Sequence, residues 1–377
     1  MNKIGIEAQR IFRAKKHGMD FVAINYIISL ANNYPDCKFV VFAKKGPDEN
    51  ALPKMPNIKL VWVPGGPYPI WEQIFLPRYA KKEEVSLLHC TSNTAPLFCK
   101  TPLVLTLHDI IFLEKNPLKE GSWYQKFGNL YRRLLVPRII KTVKHIVTVS
   151  HFEEKNIQTR FPKFAEKVSV VYNASNSHFN QFPSPEEIEK TLKNYHLPSS
   201  YFVFLGNTDP KKNVDNVLKA YLKLWRNKPD CPSLLVPDYP QTWLDKWYQQ
   251  NENSEAFKNK IHCAGYIKNQ DLQSILARAT AFLYPSKRES FGIPILEGFL
   301  SKVPVITSNA AAMPEIAGDA AILVDPFNVD SIYQAMDRVL TLNPEQREQL
   351  VIAGLERAKQ FNWDNSAKEL MALYQTI

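Results

Sequence analysis

The sequence predicts an α/β protein built as two Rossmann-like domains with a cleft between them, and three observations predict it. Short apolar runs alternate with helical segments along the whole chain, the pattern of a parallel sheet wrapped by helices. At 377 residues the chain is too long for one ordinary core. A Pro- and Ser-rich stretch at 180–199 interrupts the alternation and reads as an interdomain connection, leaving about six strands to each side.

In the first half the strand-like runs are Ile4–Ile6, Phe39–Phe42, Lys59–Val63, Leu87–His89, Leu103–Leu107, Ile146–Val149 and Val168–Val171. Helical patterns fall between them at about Phe21–Asn32, around Trp71–Ala80 and from about Ser122 to Thr142. The second half opens on Tyr201–Leu205 and continues through Ser233–Val236, Ile261–Ala264, Ala281–Tyr284, Val303–Thr307 and Ala321–Val324. The apolar run Ala281–Tyr284 reads as a buried strand. The last residues, Trp363–Ile377, form an amphipathic helical pattern.

Composition is that of a globular protein, with 45% hydrophobic and 22% charged residues. No apolar run approaches the roughly 20 residues of a membrane span, and Glu7 and Arg10 break the N-terminal run too early for a signal peptide. Five scattered cysteines without a C-x-x-C spacing point to a reducing cytoplasm and to neither a zinc site nor a disulfide framework. The net charge of +10 is lopsided: residues 1–180 hold 26 Lys+Arg against 14 Asp+Glu, while the remainder is slightly acidic. An anionic partner for the first half fits this imbalance, whether an acidic membrane surface, a lipid-linked pyrophosphate or nucleic acid; so does a plain set of solvated lysine faces.

Residues 285–298 carry the densest chemistry. Glu289 and Glu297 lie eight apart around a Phe-Gly-Ile-Pro turn, behind the buried run Ala281–Tyr284 and ahead of a helix over Ile295–Lys302. Pro294 suits the first helical position, where its missing N–H costs nothing. The N–H groups of Gly292 and Ile293 then point at whatever lies between the acids, and a helix N-terminus favours an anion, commonly a phosphate. With one carboxylate on each side, such a cradle suits a nucleotide sugar: one acid for sugar hydroxyls, the other for ribose hydroxyls.

The second half begins with a related device, Leu205-Gly-Asn-Thr-Asp-Pro-Lys-Lys-Asn213. Gly206 closes a strand, Lys211 and Lys212 follow, and Asn213 is placed to cap a helix near Val214. A simple Pro-Lys turn is the bland alternative. Gly265 and Tyr266 end another strand, where Tyr266 is a candidate base contact, although most such pairs are structural.

These segments resemble the signature of family 4 retaining glycosyltransferases of the GT-B fold. The likeness runs through Pro285-Ser286, Glu289, Phe291-Gly292, Pro294 and Glu297, then Val303-Pro-Val305, Met313-Pro-Glu315 and Asp325-Pro326. It extends to the Pro210–Asn213 turn, Thr106–Asp109, Val147–Ser150, Val171–Asn173, Trp71–Gln73 with Leu76-Pro77, and Phe361–Trp363, nearly the whole chain. The resemblance implies an N-terminal acceptor-binding domain over 1–182, a nucleotide-sugar-binding domain over 198–362, and a C-terminal helix from about 363 to 377 crossing back onto the first.

It also implies roles. Glu289 would contact the donor sugar and Glu297 the ribose. The N–H groups of Phe291, Gly292 and Ile293 would meet the diphosphate, joined by Ser286, Gly206, Lys211 and Lys212, with Tyr266 beside the base. From the first domain His108 would face the sugar across the cleft, and Gly18, in the loop before the first helix, would approach the phosphates or the acceptor. A satisfied histidine at a strand end is the bland reading of His108. The chain departs from the family pattern in having one glycine, Gly18, where many relatives have a pair, and Asn207 where many have arginine. It has Ala174 where the family usually has glycine. Lys211 and Arg288 are candidates for the missing arginine's charge.

No D-x-D occurs, so no metal and no other cofactor is expected; lysines and helix N-termini would carry the departing diphosphate. Glu289 is the only candidate nucleophile for a double displacement, and its sugar-binding role favours front-face attack with the β-phosphate oxygen as base. The expected donor is a GDP- or UDP-sugar. Mannose stands first because Trp71–Gln73 and His108-Asp109 look like segments of bacterial mannosyltransferases. The expected acceptor is a lipid-linked or polysaccharide intermediate of the cell surface, handled in the cytoplasm with peripheral contact to an anionic membrane, and nucleic acid is not an expected partner. A phosphorylase of the same fold, a nucleotide-sugar epimerase and a basic nucleic-acid-binding protein remain the alternatives.

Overall fold

The structure is a computed structural model that describes residues 3–114 and 123–377, the side chains of 123–126 excepted. The expected helix start at Ser122 lies outside the described residues. The chain divides into two units, one of Met1–Asn173 with Asn362–Ile377 and one of Ala174–Phe361.

The first unit holds a seven-stranded sheet: β1 (Lys3–Glu7), β2 (Lys38–Ala43), β3 (Ile58–Trp62), β4 (Leu87–Cys90), β5 (Leu103–Thr106), β6 (His145–Thr148) and β7 (Val168–Val170). Its order is β3-β2-β1-β4-β5-β6-β7, with every pair parallel. β4 and β5 are buried at every position, whereas no residue of the edge strand β3 is fully buried and Lys59 and Trp62 are exposed. Leu88, Leu105 and Ile146 from the sheet share one core with Val136, Ile139 and Ile140 of the helix Trp123–Thr142.

The second unit holds β8 (Tyr201–Phe204), β9 (Ser233–Leu235), β10 (Ile261–His262), β11 (Ala281–Tyr284), β12 (Val305–Ser308) and β13 (Ile322–Val324), ordered β10-β9-β8-β11-β12-β13 and again all parallel. Phe202, Phe204, Leu234 and Leu283 pack with Val217, Leu218 and Tyr221 of the helix Val214–Asn227. In each sheet the winding reverses once, between β1 and β4 and between β8 and β11. In open α/β sheets such a reversal opens a crevice at the carboxyl ends of the two strands, where ligands bind.

The stretch at 180–199 is not the connection its composition suggested. Its Ser and Pro residues start a helix, Pro185–Asn194: the Ser184 hydroxyl accepts the Glu187 N–H at 3.2 Å, and the Glu187 carboxylate accepts the Ser184 N–H at 2.7 Å. A capping box followed by Pro at N1 has the same composition as a linker. This helix belongs to the second unit, where the Tyr195 hydroxyl donates to Asp271 at 2.8 Å, and Gln273 holds the Phe179 carbonyl at 3.0 Å.

The C-terminal helix Trp363–Gln375 packs within the first unit on the helix Gly18–Asn33. Asn33 donates to Asp364 at 2.7 Å, the Tyr26 and Trp363 rings meet edge to face at 5.5 Å, and His89 at the centre of the sheet bonds the Tyr374 hydroxyl at 2.6 Å.

Candidate functional site

The site of the second unit is built where β8 and β11 part. The register pairs Leu283 with Phe204 and Tyr284 with Thr307, so the loops that follow β8, β11 and β12 leave the sheet side by side. They are stitched together: the Lys287 N–H donates to the Lys211 carbonyl at 2.7 Å, and the Ser308 hydroxyl to the Ser286 carbonyl at 2.6 Å. Asn213 supplies the third tie. Its amide donates to the Pro285 carbonyl at 3.0 Å and the Pro326 carbonyl at 2.6 Å, joining three loops. The sequence suggested Asn213 as a helix cap, and it makes no side-chain cap bond. Its backbone is left-handed at φ 67°, a conformation asparagine tolerates, and its side chain is spent on the neighbouring loops instead.

Lys212 and Glu289 meet inside this frame. Lys212 Nζ lies 2.8 Å from Glu289 Oε1 and 2.9 Å from the Tyr284 hydroxyl, and the ammonium also sits 4.9 Å from the Tyr284 ring centroid. Burial disfavours the charged ammonium, but Tyr284 and Glu289 outweigh it and hold Lys212 above the ordinary lysine value. Burial, then Glu289, push the Tyr284 phenol up to about 12, so it stays protonated at neutral pH. An ammonium has three N–H donors; two are engaged here, and the third remains for an anion.

The helix after this loop runs Ile293–Leu300, starting one residue before Pro294, the first position the sequence suggested, with Gly292 as its N-cap at φ 106°. That backbone conformation, which residues with a Cβ rarely adopt, sets the start, and Pro294 therefore stands at the second helical position. The N–H groups of Gly292 and Ile293 precede any intrahelical partner and face outward from the helix start. The Phe291 side chain is buried edge to face on Phe361 at 5.8 Å, so only its backbone is placed to meet a ligand. Ser286 is buried beneath the loop.

Glu297 stands apart from Glu289 chemically. It is buried, its carboxylate accepts from the Asn176 amide at 3.1 Å, and burial raises its pKa to about 7 against the smaller opposing effect of Asn176. Of the remaining candidates, Gly206 is required by packing, since an added Cβ would lie 2.3 Å from the Phe204 ring. Lys211 points away toward Asp209 at 3.8 Å. Tyr266 is 69% exposed beyond β10, the outer strand of its edge, two strands from β8, and the structure does not bring it to Lys212 and Glu289.

In the first unit His108 follows β5 and is buried. Its Nε2 lies 2.9 Å from the Thr91 carbonyl, an acceptor, so Nε2 carries the proton and Nδ1 the lone pair; the His108 backbone N–H donates to the Asn93 side-chain oxygen at 2.6 Å. Burial lowers its pKa, and the ring is neutral at physiological pH. Gly18 is the first residue of the helix Gly18–Asn33 rather than part of the preceding loop, because the Asp20 carboxylate accepts the His17 N–H at 2.8 Å and starts the helix there. A Cβ at Gly18 would meet nothing within 4 Å, so its backbone is open to approach.

The second unit matches the family described as glycosyl transferases group 1 over residues 186–357, and the first matches glycosyltransferase family 4 over residues 18–178. The chain is 32% identical over 279 residues to the O-antigen chain mannosyltransferase B of Escherichia coli, covering 73% of this chain and 70% of that protein. The chain belongs to the group 1 glycosyltransferases. To the O-antigen chain mannosyltransferase RfbU of Salmonella typhimurium it is 28% identical over 285 residues, 74% of this chain and 70% of that one. Its fold is that of the Anabaena protein HepE, solved with UDP and glucose, at a TM-score of 0.73 and 17% identity over 100% of both chains.

Membership selects sugar transfer among the activities left open above. Two α/β units of parallel sheet are the architecture this glycosyltransferase shares with its structural neighbours. Among its described residues no group of three or more His, Cys, Asp or Glu is arranged to hold a metal ion. Sequence reasoning did not find Tyr284, Asn176 or Asn213 in their present roles. Tyr284 gave a signal, a hydroxyl at the last position of an apolar strand, but Asn176 gave none, being 121 residues from the acid it holds.

Proposed function

We propose that this glycosyltransferase moves mannose from GDP-mannose to a lipid-linked or polysaccharide acceptor of the cell surface, on the cytoplasmic side, with retention of anomeric configuration and without a metal. The observation that carries the donor reading is the pairing of Lys212 with Glu289 beside the start of the helix Ile293–Leu300. The third Lys212 N–H and the N–H groups of Gly292 and Ile293 favour a diphosphate, and a preorganised set of such donors stabilises it as it departs. Glu289 then accepts from sugar hydroxyls while its ion pair with Lys212 keeps it aimed. Glu297, seated deeper, accepts from the ribose. Mannose and the O-antigen-type acceptor are supported by the names of the two relatives above.

Melting the protein with GDP, UDP, GDP-mannose and UDP-hexoses tests the donor, since a ligand bound at 100 times its Kd stabilises by about 2.7 kcal/mol. GDP and GDP-mannose are expected to raise the Tm most. Stabilisation by UDP-sugars alone would remove mannose from the reading, and no response to any nucleotide sugar would remove the donor site itself.

A further inference from the structure

Lys212, Glu289 and Glu297 account for the phosphates, sugar and ribose of a donor and leave its base without a partner. The packing behind Glu297 gives the direction in which that base lies. The helix Ile293–Leu300, which carries this acid, packs on the helix Asn269–Ala277, whose buried Gln273 donates to the Leu300 carbonyl at 3.4 Å. The loop feeding the second helix, residues 263–268, follows β10. A ribose at Glu297 therefore sends its base over the carboxyl ends of β9 and β10. These strands stand one and two places out from β8, roughly 5 and 10 Å away.

The loops after β9 and β10 form one fixed floor there. The Val236 N–H donates to the His262 carbonyl at 2.9 Å, and the Asp238 N–H to the Gly265 carbonyl at 2.8 Å. Gly265 has a φ of 68°, and a Cβ there would meet nothing within 4 Å, so bare backbone lies open to a flat ring. Asp238 is exposed and left-handed at φ 50°. It stands between Pro237 and the buried Tyr239, whose ring meets Trp243 edge to face at 5.2 Å. The turn is thus held from both sides.

The loops after these three strands and the first turn of the helix Asn269–Ala277 hold three acids, Asp209, Asp238 and Asp271. Asp209 accepts the Lys211 N–H at 3.1 Å, and Asp271 accepts the Tyr195 hydroxyl at 2.8 Å. The Asp238 carboxylate has no hydrogen bond or ion pair among the described residues. A carboxylate can accept two parallel N–H groups at once. Guanine offers such a pair, its N1–H beside its exocyclic amine. Uracil offers one N–H between two carbonyl oxygens, which a carboxylate repels. We propose that Asp238 reads the base of the donor, its carboxylate accepting the N1–H and the exocyclic amine of guanine, so that a guanosine diphosphate sugar is taken over a uridine diphosphate sugar. This role rests on the donor reading above, in which Glu297 takes the ribose. A site built to pair such donors rejects a base that lacks them, because its own polar group is then left unpaired.

Melting the full chain with GDP, UDP, inosine diphosphate, which lacks the exocyclic amine, and xanthosine diphosphate, which has a carbonyl in its place, tests the assignment. The wild type should be stabilised most by GDP, less by inosine diphosphate and least by xanthosine diphosphate and UDP. Asp238→Asn should keep the ligand-free Tm, since asparagine also tolerates a left-handed backbone. It should bind GDP on the order of tenfold more weakly and prefer xanthosine diphosphate, whose carbonyl accepts from the new amide. A wild type that prefers UDP, or answers to no nucleotide, overturns the donor reading and the role of Asp238 together. A wild type that prefers GDP, with an Asp238→Asn variant that keeps the same order of nucleotides, leaves the donor reading standing and overturns Asp238 alone.

Discussion

Lys212 and Glu289 form an ion pair at 2.8 Å although 76 residues of sequence divide them from one another's motif, and the Tyr284 hydroxyl closes the group from beneath. On the proposed reading the lysine has two tasks, to meet a phosphate with its unspent N–H and to hold the carboxylate proposed for the sugar in place. Glu289→Gln removes only the carboxylate's charge and is expected to keep nucleotide-induced stabilisation while lowering kcat by about a hundredfold or more. Lys212→Ala strands a largely buried carboxylate and is expected to lower both Tm and nucleotide response, by about 3 kcal/mol in stability. Transfer assays beside thermal melts check the split; a Glu289→Gln enzyme with near wild-type turnover would exclude Glu289 from the reaction.

Glu297 makes a pH prediction of definite sign. Its folded pKa of about 7 stands above the ordinary 4.5 because burial disfavours the charge. Between these values the folded protein holds the proton more tightly than the unfolded chain does, so stability falls as pH rises from 4.5 to 7. The loss is on the order of 3 kcal/mol. Glu297→Gln should lack this slope and be the more stable protein at pH 8. Parallel melting curves for the two proteins across that window would show that Glu297 is not a buried ionisable acid. If Glu297 binds ribose as a carboxylate, nucleotide affinity should also rise through pH 7 in the wild type and stay flat in the variant.

Glu72 is expected to be the first unit's most sensitive polar position. Glu72→Ala leaves the hydroxyls of Tyr68, Thr94 and Tyr131 without their shared acceptor, at a cost of about 3 kcal/mol, whereas Glu72→Gln keeps part of the network and costs about 1 kcal/mol. Denaturant midpoints measure both. Equal losses would mean that charge, not acceptor count, sets the contribution.

The strands were legible in the sequence because strands buried on both faces of a parallel sheet must be continuous apolar runs, and Ala281–Tyr284 was placed to the residue. Elements whose local chemistry has two meanings were not legible. Ser184-Pro185 reads equally as a linker and as a capped helix start, and only the side-chain bonds of Glu187 decide. Gly292 moved a helix start that Pro294 alone suggested one residue later, since its positive φ is invisible in sequence. Trp71–Gln73 was read for family likeness, but its physical work is structural: Trp71 is fully buried and donates to the Val63 carbonyl at 3.0 Å, and Glu72 is the knot of a network. The pairing of Lys212 with Glu289 depends on β8 and β11 being neighbours, a relation of strand order that no local pattern carries.

His89 tests the inner side of the first sheet. Its ring is buried between the Tyr374 hydroxyl at 2.6 Å and the Thr106 hydroxyl at 2.7 Å, and burial, with His108 adding to it, lowers its pKa to about 3. The unfolded histidine titrates near 6.5, so below that pH the unfolded state binds a proton the folded state refuses. Stability therefore falls as pH drops from 6.5 toward 3, by about 2 kcal/mol at pH 5. This slope runs opposite to that of Glu297 over the same range, so the measurement must be the difference between the wild type and His89→Leu rather than either curve alone. The variant should be less stable at pH 8, where two hydrogen bonds are missing, and the gap should narrow toward pH 5. Tyr374→Phe should instead leave the histidine's titration in place and raise hydrogen exchange in the helix Trp363–Gln375, whose inner end that hydroxyl anchors. A constant gap between wild type and His89→Leu from pH 8 to pH 5 would mean that the buried ring already exchanges its proton with solvent, and that the seat of the C-terminal helix is open.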